Sequence, residues 1–269
     1  MWNVIKSELL KLRRCQILLV GVVALALCPV VQYGSQLIVA AEYRNPNYDF
    51  STLFENVVWG NTQIFLPISL VMIGGWLIDR ESAHDTLKNI MTIPVSMPKV
   101  LGAKLFLTGI LSVLLGIYSV FVTLITGVVV GLSGLTVELI FHGGLQIVLA
   151  AITTGLVCMP LILIFGQMRG AYLGGSILAF FLGYSMMFFK GGILSNIYPF
   201  SAALILAGFD LREYAGTTTN PDLLVAAVGV GIMVLWTLLL LGISGRKKEM
   251  KTQKKERGTS KKRYTRVRR

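Results

Sequence analysis

Charged residues are scarce in this sequence and are missing altogether from its long hydrophobic runs. Of 269 residues, 14% are charged and 54% hydrophobic, with a mean hydropathy of +0.71, whereas a soluble domain usually has about 25% charged residues. Six runs contain no Asp, Glu, Lys, Arg or His: residues 17–41, 56–78, 105–131, 143–168, 170–189 and 223–245. A helix crossing about 30 Å of hydrocarbon needs about 20 such residues. Because the runs are continuous rather than alternating, they predict an all-α integral membrane protein with six transmembrane helices.

Three further absences restrict the function. Cys15, Cys28 and Cys158 do not have metal-ligand spacing, and their odd number argues against a disulfide framework. The sequence contains no G-x-x-x-x-G-K-[S/T] phosphate loop for ATP. Proton- or sodium-coupled carriers usually place ionisable residues inside their spans, and the predicted spans have none. We therefore expect a chain that is not an enzyme and that itself holds neither metal nor cofactor.

Lysine and arginine predict the orientation. With six spans and an inside N-terminus, 22 of the 25 Lys and Arg residues lie in four inner segments, 1–16, 79–104, 167–169 and 245–269. Since cytoplasmic segments are enriched in these residues, we predict a multi-pass plasma-membrane protein with both termini in the cytoplasm.

The uncharged segment 191–209 is long enough to be a seventh span. A seventh span would place the strongly basic C-terminal segment outside, against the charge rule. We therefore predict a re-entrant or interfacial element between spans five and six, broken near Asn196, Pro199 and Ser201.

The two ends of the chain have different patterns. Residues 1–16 combine apolar residues at helical spacing with four basic ones, which predicts an amphipathic helix at the lipid headgroups. A cleaved signal peptide is the alternative. Residues 246–269 hold 13 basic residues and almost nothing apolar, so a disordered cytoplasmic tail is expected. Such a tail can bind nucleic acid, but its position directly after a span favours contact with membrane lipids, and we predict no nucleic-acid partner.

The predicted inner loop 79–104 contains a second amphipathic pattern. Ser82 and Asp85 resemble a capping box that starts a helix, and Pro94 ends it. Apolar residues recur at helical spacing between them: Leu87, Ile90 and Met91. This apolar face either contacts a partner protein or lies on the lipid interface.

Glycines recur at four-residue spacing in three predicted spans, with the second series running across the boundary between spans four and five. Gly127 and Gly131 form one pair, and Gly166, Gly170 and Gly174 form a longer series. Small residues at this spacing let membrane helices approach closely, so these five glycines are predicted to serve helix packing.

One short segment resembles an enzyme motif. Gly131-Leu132-Ser133-Gly134 matches the G-x-S-G of rhomboid-type intramembrane proteases. The histidines available as a base are His84, in the predicted cytoplasmic loop, and His142, in a short outer loop. Neither position suits a base inside the membrane, so we favour a glycine- and serine-containing helix end.

The loop pattern resembles the permease subunits of type-two ABC exporters. Their corresponding loop typically has a Glu, a Gly-Thr-Leu, a Pro and then basic residues. This sequence has Glu81, Thr86-Leu87, Pro94, Lys99 and Lys104 in that order, with Asp85 where Gly is commoner. Six spans with inside termini fit the same family. The resemblance covers residues 1 to about 245 and is greatest to the permeases of lantibiotic immunity and bacitracin resistance.

The resemblance implies a permease that works with a second permease copy or related subunit and with two copies of a separate ATPase, which binds ATP and magnesium. Residues expected to couple to the ATPase are Glu81, Asp85, Thr86, Leu87, Ile90, Met91 and Pro94. The expected function is export of an amphipathic peptide antibiotic (lantibiotic or bacitracin-like) or another hydrophobic compound. The alternatives are a stand-alone carrier or channel, or an intramembrane scaffold or protease. The sequence predicts no individual substrate-binding residue.

Overall fold

The computed structural model describes residues 16–40, 42, 44–83, 97–212 and 220–244. The regular secondary structure of these residues is helical, as predicted. The amphipathic helix predicted for 1–16, the coupling residues from Asp85 to Pro94 and the basic tail 246–269 lie outside the described residues, apart from residue 16. Of Glu81, only the backbone is described.

The helices follow one another without an intervening strand in the described ranges. They are α1 (Ile17–Ile38), α2 (Phe50–Gly60), a π-helical turn (Asn61–Phe65), α3 (Leu66–Ala83), α4 (Met97–Val130), α5 (Val137–Gly166), α6 (Tyr172–Tyr184) with a 3-10 turn (Ser185–Phe188), α7 (Ile193–Ile197), α8 (Pro199–Leu206) and α9 (Leu223–Ser244). Five helical segments are long and apolar enough to cross a membrane: α1, the continuous α2–α3 helix, α4, α5 and α9.

Three helices begin earlier than the uncharged runs indicated. The α2 helix begins at Phe50, where Asp49 Oδ1 accepts the Thr52 N–H at 2.9 Å. The α5 helix begins after Thr136, whose Oγ1 accepts the Leu139 N–H at 3.2 Å. The α4 helix has 34 residues, about 51 Å at 1.5 Å per residue, so it exceeds the roughly 30 Å of hydrocarbon. The uncharged runs therefore marked membrane-compatible segments, whereas the side-chain caps mark where α2 and α5 begin.

The fifth predicted span, 170–189, is a shorter apolar helix in the structure. Gly170 has a φ of +68°, a left-handed conformation that suits glycine, and α6 begins two residues later. The helix tightens into the 3-10 turn Ser185–Phe188. Five candidate spans are therefore present among the described residues, and the sixth stays a prediction.

Segment 191–209 forms two short helices that meet at Tyr198 and Pro199, as the proline there indicated. The Tyr198 hydroxyl donates to the Leu182 carbonyl at 2.6 Å, and Ser201 Oγ donates to the Ser195 carbonyl at 2.6 Å. Most of α8 is buried. The element is a broken helix packed into the bundle, and its re-entrant character stays a prediction.

Most residues of the α2–α3 helix and α5 are buried in the core, whereas fewer than a third of the residues in the most apolar parts of α1, α4 and α9 are. Exposed examples are Phe121 and Val129 on α4 and Leu224 on α9. Surface of this kind suits hydrocarbon, because lipid provides the apolar surroundings that water cannot.

Candidate coupling site at the loop end of the bundle

The two helices that flank residues 84–96 are joined directly. We call this part of the bundle, where α3 ends and α4 begins, the loop end. Lys104 of α4 is buried, with 1% of its surface exposed, and its Nζ donates a hydrogen bond to the Leu77 carbonyl of α3. This hydrogen bond therefore links the end of α3 to the beginning of α4, on either side of the loop.

The α3 helix also crosses α5 and α6 closely at this end. A Cβ atom added to Gly166 would lie 2.9 Å from Ile78 Cβ and 3.0 Å from the Gly75 carbonyl oxygen. A Cβ atom added to Gly75 would lie 2.7 Å from Tyr172 Cβ. The glycines therefore bring backbone against backbone, as small residues do in membrane proteins.

Asp79 connects α3 with the turn between α5 and α6. Its side chain is 7% exposed, and Oδ2 accepts the Gly170 N–H at 3.2 Å. The second oxygen, Oδ1, is buried without a hydrogen-bond partner in the described part of the chain. A buried carboxylate with an unused acceptor is costly to keep, so Asp79 is a candidate functional residue.

The same turn is connected to the last helix. Gln167 Nε2 donates to the Leu163 carbonyl at 2.9 Å and to Ser244 Oγ of α9 at 2.9 Å. Polar contacts thus connect α4 to α3, α3 to the α5–α6 turn, and that turn to α9.

A second polar region lies inside the α2–α3 helix. Asn61 Nδ2 donates to Ser119 Oγ of α4 at 2.8 Å. Asn61 Oδ1, Thr62 Oγ1 and Gln63 Nε2 are buried without partners among the described residues. These residues form the first part of the π-helical turn, and Pro67 cannot give the Gln63 carbonyl its usual helical bond. Turns of this kind often mark functional positions in helices.

The predicted packing glycines fall into two groups. Gly127 contacts the Phe50 ring, and Gly166 lies at the α3–α5 crossing. Gly131 and Gly170 have φ values of +77° and +68° and lie in turns, with no heavy atom within 4 Å of an added Cβ. Gly174 lies on α6 with the same open space. A packing role for Gly131, Gly170 and Gly174 stays a prediction.

Ser133 lies in the exposed turn between α4 and α5, where its backbone carbonyl accepts the Phe50 N–H at 3.1 Å. His142 lies on an exposed part of α5, and His84 is outside the described residues. The G-x-S-G segment therefore lies in a turn, and no histidine lies beside Ser133 among the described residues.

The sequence did not predict the burial of Asp79 and Lys104 or the polar Asn61–Gln63 turn, although Lys104 was named in the loop pattern. Asp79 and Lys104 flank uncharged runs, a position that usually marks a solvated helix end. The Asn61–Gln63 turn did leave a signal in the sequence: three consecutive polar residues stand shortly before Pro67 within an apolar run. In the described ranges, no group of three His, Cys, Asp or Glu residues could hold a metal ion.

Several apolar helices of spanning length, joined by buried polar contacts at one end, define a multi-pass membrane protein. The family model described as "ABC-2 family transporter protein" matches residues 4–186, which is more than half of the chain. The chain therefore belongs to the ABC-2 transporter family, whose members are membrane permease subunits with a separate ATPase. It is also similar to the bacitracin transport permease protein BCRB of Bacillus licheniformis, with 26% identity over 178 residues, or 65% of this chain and 84% of that protein. The resemblance inferred from the sequence is thus confirmed at the level of the family.

Proposed function

We propose that this ABC exporter permease moves an amphipathic peptide antibiotic, lantibiotic or bacitracin-like, or another hydrophobic compound out of the membrane or cell. The similarity to a bacitracin transport permease carries the proposal. The apolar exposed faces of α1, α4 and α9 support it, because an amphipathic compound partitions into the lipid that contacts them. The result for the cell would be immunity or resistance.

The proposed assembly places six spans in the plasma membrane with both termini in the cytoplasm. Two copies of an ATPase bind on the cytoplasmic side, each holding ATP and magnesium, and a second permease copy or related subunit completes the transporter. The positive-inside distribution of Lys and Arg supports this orientation. The acyl chains of membrane lipids cover the remaining apolar surface.

The proposed coupling element is the loop from Asp79 to Lys104. Glu81, Asp85, Thr86, Leu87, Ile90, Met91 and Pro94 would contact the ATPase. Support comes from the loop end, where Lys104 joins α4 to α3 and Asp79 joins α3 to the next turn. Movement imposed on the loop would therefore reach several helices.

The substrate class is tested by resistance. A sensitive host expressing the permease together with its ATPase should tolerate more bacitracin or lantibiotic than hosts expressing either subunit alone. Accumulation of a labelled peptide antibiotic should fall in the same cells. Equal sensitivity of all three strains to bacitracin and to lantibiotics would contradict this substrate class, even if the two subunits still assemble.

A further inference from the structure

Two charged side chains are buried in the described part of the chain, and both lie at the loop end. Lys104 Nζ donates a hydrogen bond to the Leu77 carbonyl, near the point where α3 leads into the loop. Asp79 lies two residues further along α3 and accepts from Gly170, which is 91 residues away in sequence. Helix α3 continues from Asp79 to Ala83 without a break. A displacement of the loop is therefore delivered to Asp79 along a rigid helical turn.

The receiving segment, 167–171, is short and is held from two sides. The Gly170 N–H is bound by Asp79, and Gln167 is bound to Ser244 of α9. Gly170 has a positive φ, and the neighbouring Met168 is 56% exposed. The turn is thus hydrogen-bonded to α3 through Asp79 and to α9 through Gln167.

Burying the Asp79 carboxylate costs more free energy than an ordinary helix cap does. Its second oxygen is buried and has no hydrogen-bond partner among the described residues. A neutral side chain would avoid much of that penalty. The carboxylate instead forms a charge-assisted hydrogen bond, about twice as strong as a neutral one, with a backbone N–H in another cytoplasm-directed segment.

We propose that Asp79 is a positioning residue for coupling, which transmits ATP-driven movement of the loop to the α5–α6 turn and, through Gln167, to α9. This inference rests on the proposed function, since it requires an ATPase beneath the loop. Asp79 contacts neither substrate nor nucleotide in this role. Its loss separates ATP hydrolysis from movement of the transmembrane helices.

The test uses the permease–ATPase complex reconstituted in lipid vesicles. Cys15, Cys28 and Cys158 are replaced by serine or alanine, and Met168→Cys carries an environment-sensitive fluorophore. With Asp79 intact, a non-hydrolysable ATP analogue with magnesium should change the emission. The variant Asp79→Ala should lose most of this response while the ATPase still co-purifies and hydrolyses ATP. Asp79→Asn should restore part of the response, because its amide oxygen can accept the Gly170 N–H in a weaker, neutral hydrogen bond.

The matched control is Gln146→Ala, which removes a side-chain hydrogen bond of 2.9 Å to the Gly208 carbonyl, away from the loop end. The fluorescence response of this variant should equal that of the unsubstituted complex.

If Asp79→Ala does not assemble, Asp79→Ser replaces it, because serine is too short to reach Gly170, and it should also lose the response. A full response in the alanine or serine variant, or no response with Asp79 intact, would overturn the inference and leave the proposed function standing. Failure of any ATPase to bind the unsubstituted permease would refute the proposed function and this inference together.

Discussion

The crossing of α3 and α5 provides a matched pair of alanine substitutions. Gly166 and Gly174 belong to one glycine series in the sequence, yet their surroundings differ. At Gly166, an added Cβ would lie 2.9 Å from Ile78 Cβ and 3.0 Å from the Gly75 carbonyl oxygen. At Gly174, no heavy atom lies within 4 Å. Gly166→Ala should therefore destabilise the protein, and Gly174→Ala should not.

The size of the stability loss in Gly166→Ala depends on which atoms must move to make room for the new methyl group. Both neighbours of the new methyl group at Gly166 are fixed by helical backbone, so the crossing itself must widen. Overpacking of this kind costs about 1–3 kcal/mol, and the gain from replacing glycine in a helix offsets up to about 1 kcal/mol. Because Gly166 is the last residue of α5, little of that helix-interior gain applies, and the expected net loss stays at about 1–3 kcal/mol. At Gly174 only the helix-forming gain of up to about 1 kcal/mol remains.

The assay heats the detergent-solubilised protein to a series of temperatures and measures, by size-exclusion chromatography, the fraction that stays monodisperse. The midpoint should fall by several degrees for Gly166→Ala and stay level or rise for Gly174→Ala. Equal losses for the two variants would refute the assignment of the close crossing to Gly166. A loss confined to Gly174→Ala would contradict both expectations.

Three further predictions concern the loop, the tail and the G-x-S-G segment. Glu81→Lys or Leu87→Asp should release the ATPase from the permease in a pull-down, and retention of the ATPase with full transport in both variants would disprove the coupling loop. Truncation after Gly245 should leave peptide efflux largely intact if the tail only holds the chain at the membrane lipids; loss of efflux with normal expression would assign it a larger role. Ser133→Ala should leave efflux and ATPase binding unchanged, whereas loss of a proteolytic activity would favour the intramembrane protease alternative.

The helical class and most of the spans could be predicted from the sequence because hydrocarbon imposes one dominant rule. Uncharged runs of sufficient length must become helices there. The same rule misplaced helix ends, since α4 includes Lys99 and the buried Lys104, which the charge criterion had assigned to the loop. A lysine at a helix end can be covered by the neighbouring helix, and composition contains no information about that neighbour.

The glycine series shows where pattern and packing diverge. Spacing alone made Gly166 and Gly174 equivalent packing candidates on two predicted spans, but only Gly166 lies at a close helix crossing, whereas Gly174 has open space around it. The Asp79–Gly170 contact joins residues that no local pattern relates. Long-range pairings of this kind depend on how three helices meet, and they could be recognised only in three dimensions.

We expect that this permease does no transport work without a separate ATPase. The most direct measurement is uptake of a labelled peptide antibiotic into inside-out vesicles that contain the purified permease alone or with its ATPase. We expect accumulation against a gradient when ATPase, ATP and magnesium are all present, and none when the permease is alone. Uphill accumulation by the permease alone, driven by an imposed proton or sodium gradient, would contradict the account.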